Sequence, residues 1–211
     1  MVATQKSLSG STDPETSTSG LIAQALLSLV IKIPSSEEKH SLKPVLDARQ
    51  NAKAAAAKAA LAAGSLALPV GPVGWLTILP EMVGVWKIQQ QLVADIAALY
   101  GKTSQLTPEH MLYCLFQHTA AQGLRDLVVR VGERTLVRRA SPLLIRTITQ
   151  RIAGKLAQRV AGKAVARWIP IVGAVGVGVY AYFDTAQVAA TAIDLFEGII
   201  EVEAVAVNER P

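Results

Sequence analysis

The stretch Asn51-Ala-Lys-Ala-Ala-Ala-Ala-Lys-Ala-Ala-Leu-Ala-Ala63 decides the fold class. Alanine has the best helix propensity, so Val45 to Ala63 reads as one long helix. Its small side chains let a neighbouring helix come close. On the C-terminal side, Gly64–Gly74 carries Pro69, Gly71, Pro72 and Gly74 and should not continue that helix. Helical spacing resumes from Trp75 to Tyr100, with a possible kink at Pro80 and a natural stop at Gly101. Thr107-Pro108-Glu109 is a helix start, combining a capping hydroxyl, a proline at the first helical position and an acid at the positive end of the dipole. Ser141-Pro142 repeats the opening for a helix reaching about Arg167, and a last apolar region covers Ile171–Phe196 before an acidic end.

On the N-terminal side, Leu21–Ile33 reads as a short helix with adjacent stripes Leu21, Ala25, Leu29 and Ile22, Leu26, Val30. Pro34-Ser35-Ser36 ends it. Residues 1–20 are polar and read as a disordered tail, residues 21–44 as the apolar helix and linker, and 45–207 as the main domain. No segment shows strict alternation between hairpin signals. The expected fold is all-α, a single bundle of six or seven helices with a broken apolar hairpin.

The chain of 211 residues is 51% apolar and 18% charged, which excludes general disorder and leaves ample material for a core. Its one cysteine, Cys114, excludes an internal disulfide framework. The early apolar run follows acidic residues and is interrupted by Lys32, unlike a secretory signal, so a cytoplasmic location is expected. Two segments approach the length of a membrane span. Ala59 to Pro80 has 22 uncharged residues but is broken by Pro69, Gly71, Pro72 and Gly74. Trp168 to Phe183 has 16, and extending it to Ile193 would place Asp184 in lipid. These segments are either buried core helices or a hairpin that dips into one leaflet.

Charge is uneven. From Gln122 to Arg167 there are eleven basic residues against Asp126 and Glu133, giving +9 there and −4 over the rest of a chain of net charge +5. Arg151, Lys155, Arg159, Lys163 and Arg167 recur every four residues and form one ridge, winding by about 40° at each step. Ile148, Ile152, Leu156, Val160 and Ala164 wind beside it. Such a helix suits an anionic lipid surface, with Trp75 and Trp168 as interfacial anchors. Alternatively the ridge is a solvated face paired with Asp194, Glu197, Glu201 and Glu203. No aromatic residues interleave the charges and no recognition motif is present, which argues against nucleic acid as a partner.

His110, Cys114 and His118 stand at successive i+4 positions and are the candidate metal ligands. Three ligands on one straight helix fit a tetrahedral ion poorly, and no fourth is evident, so no metal is expected. Gly173-Ala-Val-Gly-Val-Gly178 lacks the Lys-Ser/Thr of a phosphate loop. Asp184 is a carboxylate in an apolar stretch and must be capped, paired or hydrated, with a helix N-cap or a basic-ridge residue as the expected answer. Neither paired carboxylates nor a nucleophilic triad is present, so the chain is read as non-enzymatic and without a cofactor.

Two longer stretches carry a family resemblance. Leu68-Pro-Val-Gly-Pro-Val-Gly-Trp-Leu-Thr-Ile-Leu-Pro80 leads on to Ala94-Asp-Ile-Ala-Ala-Leu-Tyr-Gly101, and Ile169-Pro-Ile-Val-Gly-Ala-Val-Gly-Val-Gly-Val-Tyr-Ala-Tyr-Phe-Asp-Thr185 follows later. Together with the alanine-rich helix, they resemble the EcsC proteins and the related YcjF-like domains, over about residues 45–197. The resemblance implies a bacterial helical module peripheral to the inner membrane, with a GTPase- or transporter-associated protein partner and no catalytic residues. The resulting expectation is a membrane-associated module on an anionic surface. The alternatives are a soluble helical adaptor and a pore-forming, toxin-related protein.

Overall fold

In a computed structural model of the chain, residues 14–66, 74–131, 134–137, 139–163 and 170–208 are described. They form an all-α architecture of six helices: α1 (Pro14–Ile31), α2 (Pro44–Leu66), α3 (Gly74–Leu99), α4 (Pro108–Ala120), α5 (Pro142–Lys163) and α6 (Pro170–Asn208). Thr103–Gln105 and Ala121–Leu127 are short 3-10 turns.

The start signals work as local chemistry predicts. Proline opens α1, α2, α4, α5 and α6, where its missing N–H costs nothing. At the end of α3, Gly101 adopts φ 69°, a conformation that suits glycine. The Lys102 N–H reaches the Ala97 carbonyl at 2.7 Å and the Gly101 N–H that of Ala98 at 2.8 Å, closing a Schellman motif. Pro80 lies inside α3 without breaking it.

Three expectations change. First, α1 begins at Pro14, so residues 14–20 are helical, and residues 1–13 lie outside the described residues. Proline at the first position, with Glu15 behind it, offsets the weak propensity of the Ser/Thr run. Second, α6 continues past Phe196 to Asn208 as one 39-residue helix in which Gly173, Gly176 and Gly178 are all helical. Third, a small antiparallel hairpin occupies the basic middle, pairing β1 (Val128–Val131) with β2 (Arg134–Val137) in the register Val128↔Val137 and Val131↔Arg134. Its β-branched residues on either side of Gly132-Glu133 are the local signal for it. A two-stranded ribbon of this size is an ornament on a helical domain.

The helices pack in two groups. α2, α3 and α6 pack extensively on one another, while α5 lies mainly along α1, and α4 touches both groups. One continuous core runs through them, including Ile22, Leu26, Ile96, Phe116, Ile148 and Phe196. Trp86 of α3 meets Phe116 of α4 edge to face at 5.8 Å. Between α2 and α6 the filling is small: Ala59, Ala63 and Ala181 are buried there with Val85. The helices run antiparallel: Gly178 of α6 lies against Ala60 and Gly64 of α2, while Arg49 near the start of α2 and Asp194 and Glu197 farther along α6 act on the same Tyr100. A Cβ on Gly178 would come within 3.0 Å of the Ala60 carbonyl oxygen, and a backbone atom cannot swing aside as a side chain can. Gly176, two residues earlier and turned about 200° away from that face, is exposed, and a Cβ there meets nothing within 4 Å.

These neighbouring glycines should therefore respond oppositely in thermal unfolding. Gly176→Ala is expected to stabilise by about 0.5–1 kcal/mol through helix propensity. Gly178→Val is expected to destabilise by about 1–3 kcal/mol through overpacking.

Candidate functional site

Asp184 is the only charged residue of α6 between Pro170 and Ile193. Among the described residues its partners are neither a helix cap nor a basic-ridge residue, contrary to expectation. Its Oδ1 lies 2.7 Å from His118 Nε2 of α4, and its Oδ2 accepts a hydrogen bond from Gln89 Nε2 of α3 at 2.7 Å. Gln89 Nε2 also donates to Thr185 Oγ1 at 3.2 Å. The His118 and Asp184 side chains are only 12% and 13% exposed. With Nε2–H donating to the carboxylate, His118 Nδ1 is left buried without a partner among the described residues, as is Gln89 Oε1. A compact polar node thus joins three helices inside an apolar surround.

Gln89 belongs to the triplet Gln89-Gln90-Gln91, which the sequence reading passed over. Successive helix positions point about 100° apart, so each glutamine serves a different neighbour. Gln90 donates to the Leu29 and Lys32 carbonyls and closes the end of α1. Gln91 donates to the Ser35 carbonyl at 3.0 Å and to Asp95 Oδ1 at 2.8 Å, where Ser36 Oγ also donates. A run of three long polar side chains inside an apolar helix was the available signal.

The other two candidate metal ligands have different surroundings. His110 is at the third position of α4, where its Nδ1 accepts the Thr107 N–H at 3.3 Å and lies 3.0 Å from the Thr107 hydroxyl. It thereby takes the place of the Glu or Gln of a capping box. Burial holds its imidazole below the ordinary histidine range, outweighing the backbone of Gln105 and the charge of Glu109, which act the other way. Cys114 is wholly buried in the core, and burial pushes its thiol up. Among the described residues, no group of three or more His, Cys, Asp or Glu is placed to hold a metal ion.

Beside His110, Glu109 is buried and accepts the Ala140 N–H at 2.8 Å, tying the start of α4 to the approach to α5. Burial opposes its ionisation. Hydrogen bonds from the Thr107 side chain, the Ala140 N–H and its own N–H prevail, and hold the carboxyl below its usual range.

The basic ridge is described in part. Ile145, Ile148, Thr149, Ile152 and Ala153 of α5 are buried, whereas Arg146, Gln150 and Arg151 are exposed. Lys155 is half-buried, and its Nζ donates to Gln122 Oε1 at 3.3 Å. Arg159 and Lys163 continue along α5 and Trp75 stands in the first turn of α3, but their side chains lie outside the described residues. Arg167 and Trp168 fall in 164–169, which also lies outside them. Of the acids proposed as ridge partners, Glu197 and Asp194 act on Tyr100 of α3, with Arg49 of α2 opposing them. Burial first, and those acids second, push the Tyr100 phenol up to about 12. The side chains of Glu201 and Glu203 lie outside the described residues.

Among the described residues no helix is long and apolar enough to cross a membrane. In comparisons with protein-family models, curated proteins and solved structures, nothing matches this chain.

Two expected outcomes test the geometry. Asp184→Ala strands the Gln89 and His118 donors and is expected to cost about 2–4 kcal/mol in urea unfolding. A double-mutant cycle with His118→Ala should show strong non-additivity. The second outcome concerns His110. Its folded-state pKa lies below its unfolded value, so the unfolded chain binds the proton first as pH falls. The stabilising neutral form is fully present above about pH 6.5 and is lost below it, down through the folded pKa. Tm should therefore fall between neutral and mildly acidic pH, and less steeply in His110→Gln, whose amide oxygen can still accept the Thr107 N–H.

Proposed function

We propose that the chain is a non-enzymatic helical module that sits peripherally on an anionic membrane surface and engages a protein partner there. The observation that carries this reading is the division of α5, with isoleucines buried against the bundle and Arg146 and Arg151 facing outward. Lys155, Arg159, Lys163 and Arg167 extend the basic series at four-residue intervals. Basic amphipathic helices of this kind bind anionic headgroups, each Lys or Arg near the surface adding about 1 kcal/mol. The resemblance to EcsC and YcjF-like domains belongs to the same reading. It adds a bacterial setting, the cytoplasmic face of the inner membrane, and a GTPase- or transporter-associated partner.

A soluble adaptor is the second reading. It is favoured by the burial of much of the apolar content of α3 and α6, including Trp86, Val93, Val188 and Phe196, in one core.

Co-sedimentation with vesicles separates the two. Purified protein should pellet with anionic vesicles and less with neutral ones, and added salt should weaken that difference. Replacing Arg151, Lys155, Arg159, Lys163 and Arg167 together by Gln should lower the anionic affinity by more than about tenfold. Unchanged affinity would remove the ridge as a lipid site, and absence of binding to every vesicle would favour the adaptor.

A further inference from the structure

Where α2 ends and α6 begins, the surface changes character. Leu61 of α2 is 74% exposed, and Val175, Val179 and Phe183 of α6 are 63%, 50% and 61% exposed. Tyr180 and Tyr182 are exposed beside them, and Tyr182 stands edge to face with Phe183 at 5.7 Å. The antiparallel contact at Gly178 and Ala60 brings these residues to one end of the bundle. Further along α6 the exposed positions turn polar or small, at Gln187, Ala190 and Asp194. The apolar surface is therefore an end patch and not a stripe along the whole helix.

Among the described residues, the exposed charges that α2 brings toward this end are the cations Lys53 and Lys58, while Glu81 of α3 is buried and Asp184, next to Phe183, is held by Gln89 and His118. Lys58 stands three residues before Leu61 and Lys53 eight before it, about 4.5 and 12 Å along the helix axis. With Gly178 level with Ala60–Gly64 in the antiparallel pair, Phe183 stands at about the height of Lys58 and Lys53 about 7.5 Å deeper, so apolar side chains and cations share one rim, as they do at a lipid interface. Interfacial elements bury their apolar face about 5–10 Å deep while cations remain among the headgroups. A second copy of this chain would bring the same positive rim against itself, so charge complementarity selects an anionic lipid surface as the occupant.

We infer that the α2–α6 end, through Leu61, Val175, Val179 and Phe183 with Lys58 beside them and Lys53 behind, enters the interface of an anionic bilayer as a second contact distinct from the α5 ridge. The inference rests on the membrane reading above and names the surface that gives it a salt-resistant component.

The experiment uses the full chain and vesicles of phosphatidylcholine with and without phosphatidylglycerol, in low and high salt. The variants are Leu61→Ser/Val179→Ser/Phe183→Ser and the five-residue Gln ridge variant. All three replaced tip side chains are exposed, so the fold should persist, and circular dichroism checks that it does. The tip variant is expected to lose binding in high salt by roughly tenfold or more, while the ridge variant keeps that fraction. A Val179→Cys variant carrying an environment-sensitive dye provides a readout that does not depend on affinity, because the buried Cys114 stays unlabelled in the folded protein. Its emission should shift to the blue on anionic vesicles. Wild-type-like binding of the tip variant, with no shift at position 179, would overturn the inference and leave the ridge reading standing. A blue shift caused by dimer formation without vesicles, seen by light scattering, would overturn it in favour of a second copy. If the wild-type chain binds no vesicle, the membrane reading and this inference fall together.

Discussion

A carboxylate on an otherwise uncharged helix must find donors, and Asp184 finds them on two other helices. Gln89 of α3 and His118 of α4 both reach it, and this sets the depth and rotation of α6 against the bundle. Rotating α6 by one residue, about 100°, would leave a carboxylate among aliphatic side chains and two buried donors without acceptors. Hydrophobic contact alone would not choose between such rotations, because α6 offers valine, alanine or aromatic residues on nearly every face. The polar node therefore supplies the uniqueness that an all-round apolar helix lacks. It also fixes which side of α6 remains outside, and so which of its apolar residues meet solvent.

Close packing completes what the node begins. Alanine in α2 and glycine in α6 remove the side chains that would hold two helices apart, and Gly178 then seats against the Ala60 carbonyl. The rest of the scaffold depends on polar side chains that finish helix ends. Gln90 closes α1, His110 caps α4, and Glu109 fastens the approach to α5. These contacts stand where backbone groups at helix termini would otherwise be left without partners. Several of the buried titratable and polar groups in this protein are thus engaged in holding helices at fixed positions. The features with room to meet a partner are on the outside, in the cations of α5 and the apolar end of α2 and α6.

Helix starts were readable because capping chemistry is local. Thr107-Pro108, Ser141-Pro142 and Gly101 each act through bonds to residues a few positions away, and each marks a boundary close to where it was expected. The start of α1 lies earlier than the Ser/Thr composition of residues 14–20 suggests, because Pro14 supplies a helix opening that composition does not register. The hairpin was missed because strand pairing depends on a partner, and eight residues inside a basic helical region give it little weight. The i+4 series His110, Cys114, His118 suggested one shared ligand. In the fold, the two histidines are claimed by Thr107 and Asp184, at opposite ends of α4.

The sequence by itself determined the helical class, most helix boundaries and the existence of a basic, amphipathic α5. Propensity, capping and periodicity act within one or two turns and need no knowledge of neighbours. Only the tertiary structure decided which residue answers Asp184, which helix each of Gln89, Gln90 and Gln91 serves, and which apolar face of α6 is left exposed. Those choices pair positions 56 to 95 residues apart. A periodic pattern shows that a face is apolar, but burial depends on the helix that comes to lie against it.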